Sequence, residues 1–130
     1  MEFEVEKTIT YWLEGAEYDI GVAEAIFQAE KYPYALFMGH LALEKLLKAL
    51  VVKTTREHAP YTHSLPLLAN KSAINIPSEI IEKLARFMEF HFEARYPDEQ
   101  KKFYQICTEE FCQEKLQEIT EVFTWLKKKL

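Results

Sequence analysis

Between Glu4 and Glu30, apolar residues return at three- and four-residue steps. Ile9, Trp12, Leu13, Ala16, Ile20, Ala23 and Phe27 fall on one face of a 3.6-residue helix. The pattern predicts a first helix over this stretch, which tolerates Gly15 and Gly21 at some cost in propensity. Tyr32 and Pro33 then punctuate the chain. A proline at the first helical position has its φ preset and forfeits no needed N–H, so a second helix is predicted from Pro33 to about Lys53. The run from Thr54 to His63 reads as a loop, and Ser64 stands as an N-cap before a short helical piece through about Ala69. Pro77 opens a third long helix reaching Arg95, with Ile80, Ile81, Leu84, Phe87, Met88 and Phe92 facing inward. Arg95-Tyr96-Pro97-Asp98 interrupts it. Thr108 is placed to cap a last helix whose acidic start, Glu109 and Glu110, and basic end, Lys127 to Lys129, both suit the helix dipole. No segment reads convincingly as a strand. Four long helices with short connections predict an all-α fold, an antiparallel four-helix up-and-down bundle with an additional short helix, as a single domain over residues 1–130.

The second helix departs from a simple two-faced pattern. Leu43, Leu46, Leu47, Ala49 and Leu50 fill one broad arc, but His40, Glu44 and Lys48 recur at i, i+4 and i+8, with Lys45 beside them. That stripe is too polar for a core, and Leu41 and Val52 flank it too closely for an ordinary solvent face. In one reading Glu44 and Lys48 form a solvated pair that adds a few tenths of a kcal/mol to the helix. In another, the helix borders a groove shared with a second chain, with Glu44 paired to Lys48 and the remaining charges facing the cleft, and in a third the stripe is a membrane or partner-helix face. As exposed helical lysines, Lys45 and Lys48 are expected to contribute little to stability.

Composition narrows the function classes. The chain has 130 residues, 48% hydrophobic and 28% charged, an ordinary balance for one globular domain. A formal charge of −5 denies it the overall basic field on which non-specific nucleic-acid binding relies, leaving only local basic patches for that purpose. Cys107 and Cys112 are spaced for neither a CxxC redox pair nor a zinc knuckle and are expected to be thiols of a reducing cytoplasm. His58 and His63 have no Cys or carboxylate at ligand spacing, so no metal site and no cofactor is expected. His63 is instead expected to orient the loop or cap the short helix after it. Neither a signal peptide nor an apolar run of about 18 residues is present, so no membrane association is expected. Aromatic residues make up 14% of a small bundle, which predicts apolar surface left over for a homodimer.

Taken in order, a first helix with Trp12, Ala16, Asp19 and Ala23, then Ala42, Glu44, Lys45, Lys48 and Ala49, then Thr62-His63 with Leu65, then Arg95-Tyr96-Pro97-Asp98, resemble the HEPN family of small helical domains. The resemblance covers nearly the whole chain. It implies an all-helical, usually dimeric protein, often acting beside a minimal nucleotidyltransferase in two-gene toxin–antitoxin systems and associated with nucleotide or RNA. Other members are metal-independent ribonucleases, marked by an Arg and a His about four to six residues apart.

Arg86 and His91 satisfy that bare spacing and become the catalytic candidates of the ribonuclease reading, His91 as acid or base and Arg86 as the charge that stabilises phosphate. Phe87 follows the arginine, however, and Glu93 stands where the family commonly has Tyr. On a regular helix residues five apart also diverge by about 140°, so the two converge only if the helix ends or a second subunit contributes. Arg95, Tyr96 and Asp98 offer a second arrangement, with Arg95 for a phosphate and Tyr96 for a base. The plainer alternative has Pro97 stopping the helix, Asp98 capping the next turn and Arg95 paired with a carboxylate. The candidate ligand-binding or interface set is therefore His40, Glu44, Lys45, Lys48, His63, Arg95, Tyr96 and Asp98.

Overall fold

The computed structural model describes residues 3–92 and 95–130, and every regular element among them is helical. In chain order these are α1 (Val5–Gln28), α2 (Tyr32–Thr55), α3 (Leu65–Lys71), α4 (Ser78–Arg86), a 3₁₀ turn (Phe87–Phe90), α5 (Pro97–Ile106) and α6 (Glu109–Lys127). Local chemistry sets the boundaries. Arg56 takes the left-handed conformation at φ 61° and closes α2 by donating its N–H to Val52 O. Ser64 Oγ accepts from Leu67 N at 3.2 Å and starts α3. Thr108 Oγ1 accepts from Phe111 N at 3.2 Å and starts α6.

The third segment is not one long helix. It ends as an α-helix at Arg86 and tightens into the 3₁₀ turn, while Glu93 and Ala94 lie outside the described residues. Aromatic packing gives the physical reason. Three residues per turn keep Phe87 and Phe90 on one side, with ring centroids 5.7 Å apart, and leave the chain free to turn Phe92 against Phe103, at 5.3 Å. All four rings are buried, which a straight α-helix through Phe92 could not achieve. Pro97 does more than stop a helix: it stands in the first turn of α5, an element the pattern did not predict because Phe103 is its single buried side chain.

The centre of the fold is α2. α1 lies along it, α6 packs on another side, and α3 and the 3₁₀ turn cover what remains, so Leu36, Leu43, Leu46, Leu47 and Leu50 have no exposure. α6 approaches so closely that a Cβ on Gly39 would lie 2.9 Å from Ile119 Cδ1. A helix enclosed on nearly all sides has no free face, so its polar stripe is inside the protein. Cys107 and Cys112 are free and buried, and Cys112 Sγ donates to Tyr32 O at 3.4 Å. No helix among the described residues is long and apolar enough to cross a membrane.

Candidate functional site: a buried carboxylate among imidazoles

Glu44 projects from α2 at only 5% exposure and gathers the polar groups around it. Lys48, one turn on, donates from Nζ to Oε2 at 3.1 Å and lies 5.1 Å from the centroid of the Trp12 ring on α1. The expected Glu44–Lys48 pair therefore exists, but it is buried rather than solvated, and Lys48 is not the exposed lysine the pattern suggested. His63, in the loop before α3, places Nδ1 2.9 Å from Glu44 Oε1. His40, one turn before Glu44, has Nε2 3.6 Å from the same oxygen, longer than a hydrogen bond but close enough for electrostatic attraction. Neither ring nitrogen of this fully buried imidazole has a hydrogen-bond partner among the described residues.

His91, just past the 3₁₀ turn, completes the group. Its ring runs nearly parallel to those of His40, at 5.1 Å and 9°, and Phe37, at 5.6 Å and 6°, and tilts against His63 at 4.6 Å. His40 and His91 form the covered part of this group, while the His63 side chain is 60% exposed and carries it to the surface.

The protonation states follow from this geometry. Burial pushes the Glu44 carboxyl up, but the contacts with His40, His63 and Lys48 together outweigh it and hold the group at about 2. Glu44 is then ionised at neutral pH and can only accept hydrogen bonds. His63 Nδ1 must therefore carry the hydrogen of that contact. Burial lowers the His91 imidazole below its ordinary value, and repulsion from His40, His63 and Arg95 lowers it further against the opposing charge of Glu44.

The other predicted residues are distributed around this centre. Lys45 turns to α1 and pairs with the buried Asp19 at 2.8 Å. Arg95 is paired with Glu99 at 3.5 Å, as the plainer alternative anticipated, and its charge reaches His91. Arg95 also borders an open cleft of about 230 Å³ with Glu89, Glu99, Lys102, Phe103 and Ile106. Tyr96 and Asp98 are exposed at the start of α5, where Asp98 sits in the first turn. Arg86 is exposed at the end of α4, while His91 turns toward α2. His63 does not cap α3: Ser64 does, and His63 is committed to Glu44. No cluster of three or more His, Cys, Asp or Glu among the described residues is arranged to hold a metal ion.

Sequence spacing pointed to His40, Glu44 and Lys48 through their four-residue period. It could not join His63 to Glu44 across 19 positions, nor bring His91 onto His40. Asp19 and Trp12 were read as part of a helix pattern, and only the packing of α1 on α2 makes them partners of Lys45 and Lys48.

Two solved structures share the architecture. The crystal structure of TT1696 from Thermus thermophilus superposes with a TM-score of 0.78 at 22% identity, covering 94% of this chain and 98% of that one. ST0689, described as an archaeal HEPN homologue, superposes with a TM-score of 0.72 at 21% identity, covering 93% and 96%. No curated protein matches the chain. The HEPN domain family model matches residues 9–130, from the first helix through the last, and the chain belongs to the HEPN family.

Proposed function

We propose that this HEPN chain is a cytoplasmic, homodimeric, nucleotide- or RNA-associated module that acts with a minimal nucleotidyltransferase partner in a toxin–antitoxin-like pair. One observation carries the nucleic-acid part: Arg95 stands between two features that suit a nucleotide. On one side its charge reaches the imidazole of His91, whose ring lies against that of His63. On the other it shares with Lys102 the rim of a cleft walled by Phe103 and Ile106. Cations beside an aromatic wall suit a phosphate and a base held together. The net charge of −5 confines such binding to this patch. The partner and the pairing rest on family membership, and exposed Tyr11 and Tyr18 on α1 supply apolar surface for self-association.

The test is fluorescence anisotropy with labelled single-stranded RNA and with ATP at low salt, alongside co-expression with a minimal nucleotidyltransferase, should the neighbouring reading frame encode one. Arg95→Ala and Lys102→Ala should each weaken binding, with a smaller salt dependence than the parent. Parental affinity in both variants, or no binding at all, overturns the nucleic-acid reading. Failure of the two proteins to co-purify overturns the partner reading. A species of only about 15.4 kDa by light scattering at tens of micromolar counts against the dimer.

The ribonuclease reading through Arg86 and His91 has one observation in its favour. α4 ends at Arg86, so the divergence of a regular helix does not separate the two residues. Against it, the guanidinium that acts on His91 is that of Arg95.

A further inference from the structure

We propose that Cys107 and Cys112 form a redox site, two thiols that a peroxide joins as a disulfide, latching the end of α5 to the start of α6.

The cap of α6 places them. Thr108 is the N-cap of that helix, its Oγ1 accepting from Phe111 N at 3.2 Å. Cys107 therefore precedes the cap and Cys112 is the fourth helical residue, the two positions whose side chains meet across a helix start as a hydrophobic staple. Both side chains are buried in one core cluster, at 5% and 0% exposure. Any two apolar side chains would serve that packing. Here the chain's two cysteines, both free, occupy the two ends of one staple, so the packing itself brings together two groups that can bond covalently.

Their environments give the two thiols different roles. Cys112 has one S–H and two acceptors beside it, the Tyr32 carbonyl at 3.4 Å and the Cys107 sulfur. Sharing that hydrogen holds the Cys107 thiol below its ordinary value against the opposing push of burial. The same contact, together with burial, pushes the Cys112 thiol up and keeps it protonated. Cys107 is thus the attacking sulfur and Cys112 the resolving one. The Cys107 thiolate bonds to one peroxide oxygen as the O–O bond breaks, and the other oxygen leaves as water with the proton that Cys107 gave up. Cys112 then attacks the S–OH sulfur, the S–O bond breaks, and the departing hydroxide takes the Cys112 proton as a second water. The two thiols lose two electrons and the peroxide gains them.

The fold supplies both a way in and a consequence. Phe103 is the single buried side chain of α5, so that helix opens locally and admits a molecule as small as peroxide. α5 also gives Lys102, Phe103 and Ile106 to the cleft that Arg95 borders. A bond at Cys107 ties the end of this wall to α6, which is itself packed on α2. Closing so short a loop restricts the opening of α5 and holds the wall in place.

The experiment treats the reduced full chain with hydrogen peroxide, alkylates it under denaturing conditions and weighs it. The proposal expects a loss of about 2 Da with both cysteines protected from alkylation, full reversal by dithiothreitol, and amide exchange along α5 slowed at least about tenfold. Cys112→Ala should stop at a sulfenic acid on Cys107, trapped by dimedone. The double variant Cys107→Val, Cys112→Val keeps an apolar staple and should show no response to peroxide. If the variants do not fold, the mass and exchange of the parent decide alone. Two alkylatable thiols after peroxide, oxygen added to Cys107 without a cross-link, or a disulfide between two chains each overturns the redox pair. A cross-link within the chain that leaves α5 exchange unchanged overturns the latch.

Discussion

Lys45 on α2 crosses to Asp19 on α1, with Nζ 2.8 Å from Oδ2, through space that Gly15 leaves open: a Cβ on Gly15 would come within 3.2 Å of Lys45 Cδ. Gly21, on the same helix, has nothing within 4 Å of the position its Cβ would take. The two glycines therefore answer differently to alanine. Gly21→Ala should stabilise the protein by about 0.5–1 kcal/mol, the ordinary gain of replacing glycine inside a helix. Gly15→Ala should give less, because the lysine stem must shift. Urea unfolding of both variants checks this, and equal gains would show that Gly15 has no role in placing Lys45.

Lys48 and Lys45 also differ. Lys48 is 8% exposed and serves both Glu44 and Trp12, so Lys48→Ala leaves the buried carboxylate short of a partner and should cost about 2 kcal/mol. Lys45 is about a third exposed, but the buried Asp19 oxygen it meets has no hydrogen bond, whereas Glu44 keeps His63 when Lys48 is lost, so Lys45→Ala should cost at least as much. Thermal denaturation should place Lys45→Ala at or below Lys48→Ala, and a Lys45→Ala protein as stable as the parent would contradict the buried pairing.

Glu44 makes stability fall in acid. Its folded value of about 2 lies below the ordinary 4.5, so its ionised form stabilises the fold above about pH 4.5. That contribution, on the order of 3 kcal/mol, is lost as pH drops from there through about 2. Glu44→Gln should flatten the unfolding free energy between pH 5 and 2. An unchanged slope in that window would mean that other carboxylates carry the acid sensitivity.

His91 acts in a higher window. Its folded value lies below 6.5, so the unfolded chain takes up the proton first and stability declines as pH falls from about 6.5 toward the folded value. His91→Phe keeps a flat ring beside Phe37 and His40 and removes the titration. The variant's melting temperature should vary less than the parent's between pH 7 and 5, and parallel curves for the two proteins would refute this.

Most of the fold was legible because α1, α2 and α6 are long enough for a 3.6-residue period to stand out, and because Ser64 and Thr108 are caps whose chemistry is local. The third segment was misread for a physical reason. Phe87, Phe90 and Phe92 look like a continued apolar stripe, yet burying all of them with Phe103 requires leaving the α-helix after Arg86. α5 offered almost no stripe to detect, with Phe103 alone inside. At the site, the period along α2 announced a polar stripe but not its depth, since depth depends on how many helices surround α2. The His63–Glu44 bond joins a loop to a helix, and no helical period in the sequence carries such a contact.

Trp12 is one of two tryptophans in the chain, and its ring lies against the ammonium of Lys48, whose other partner is Glu44. A positive charge beside an indole changes the light the indole emits. In a Trp125→Phe protein, Trp12 emission becomes a label-free optical readout of the buried carboxylate: anything that settles over His63 and draws Glu44 away from Lys48 changes the colour or yield of that fluorescence.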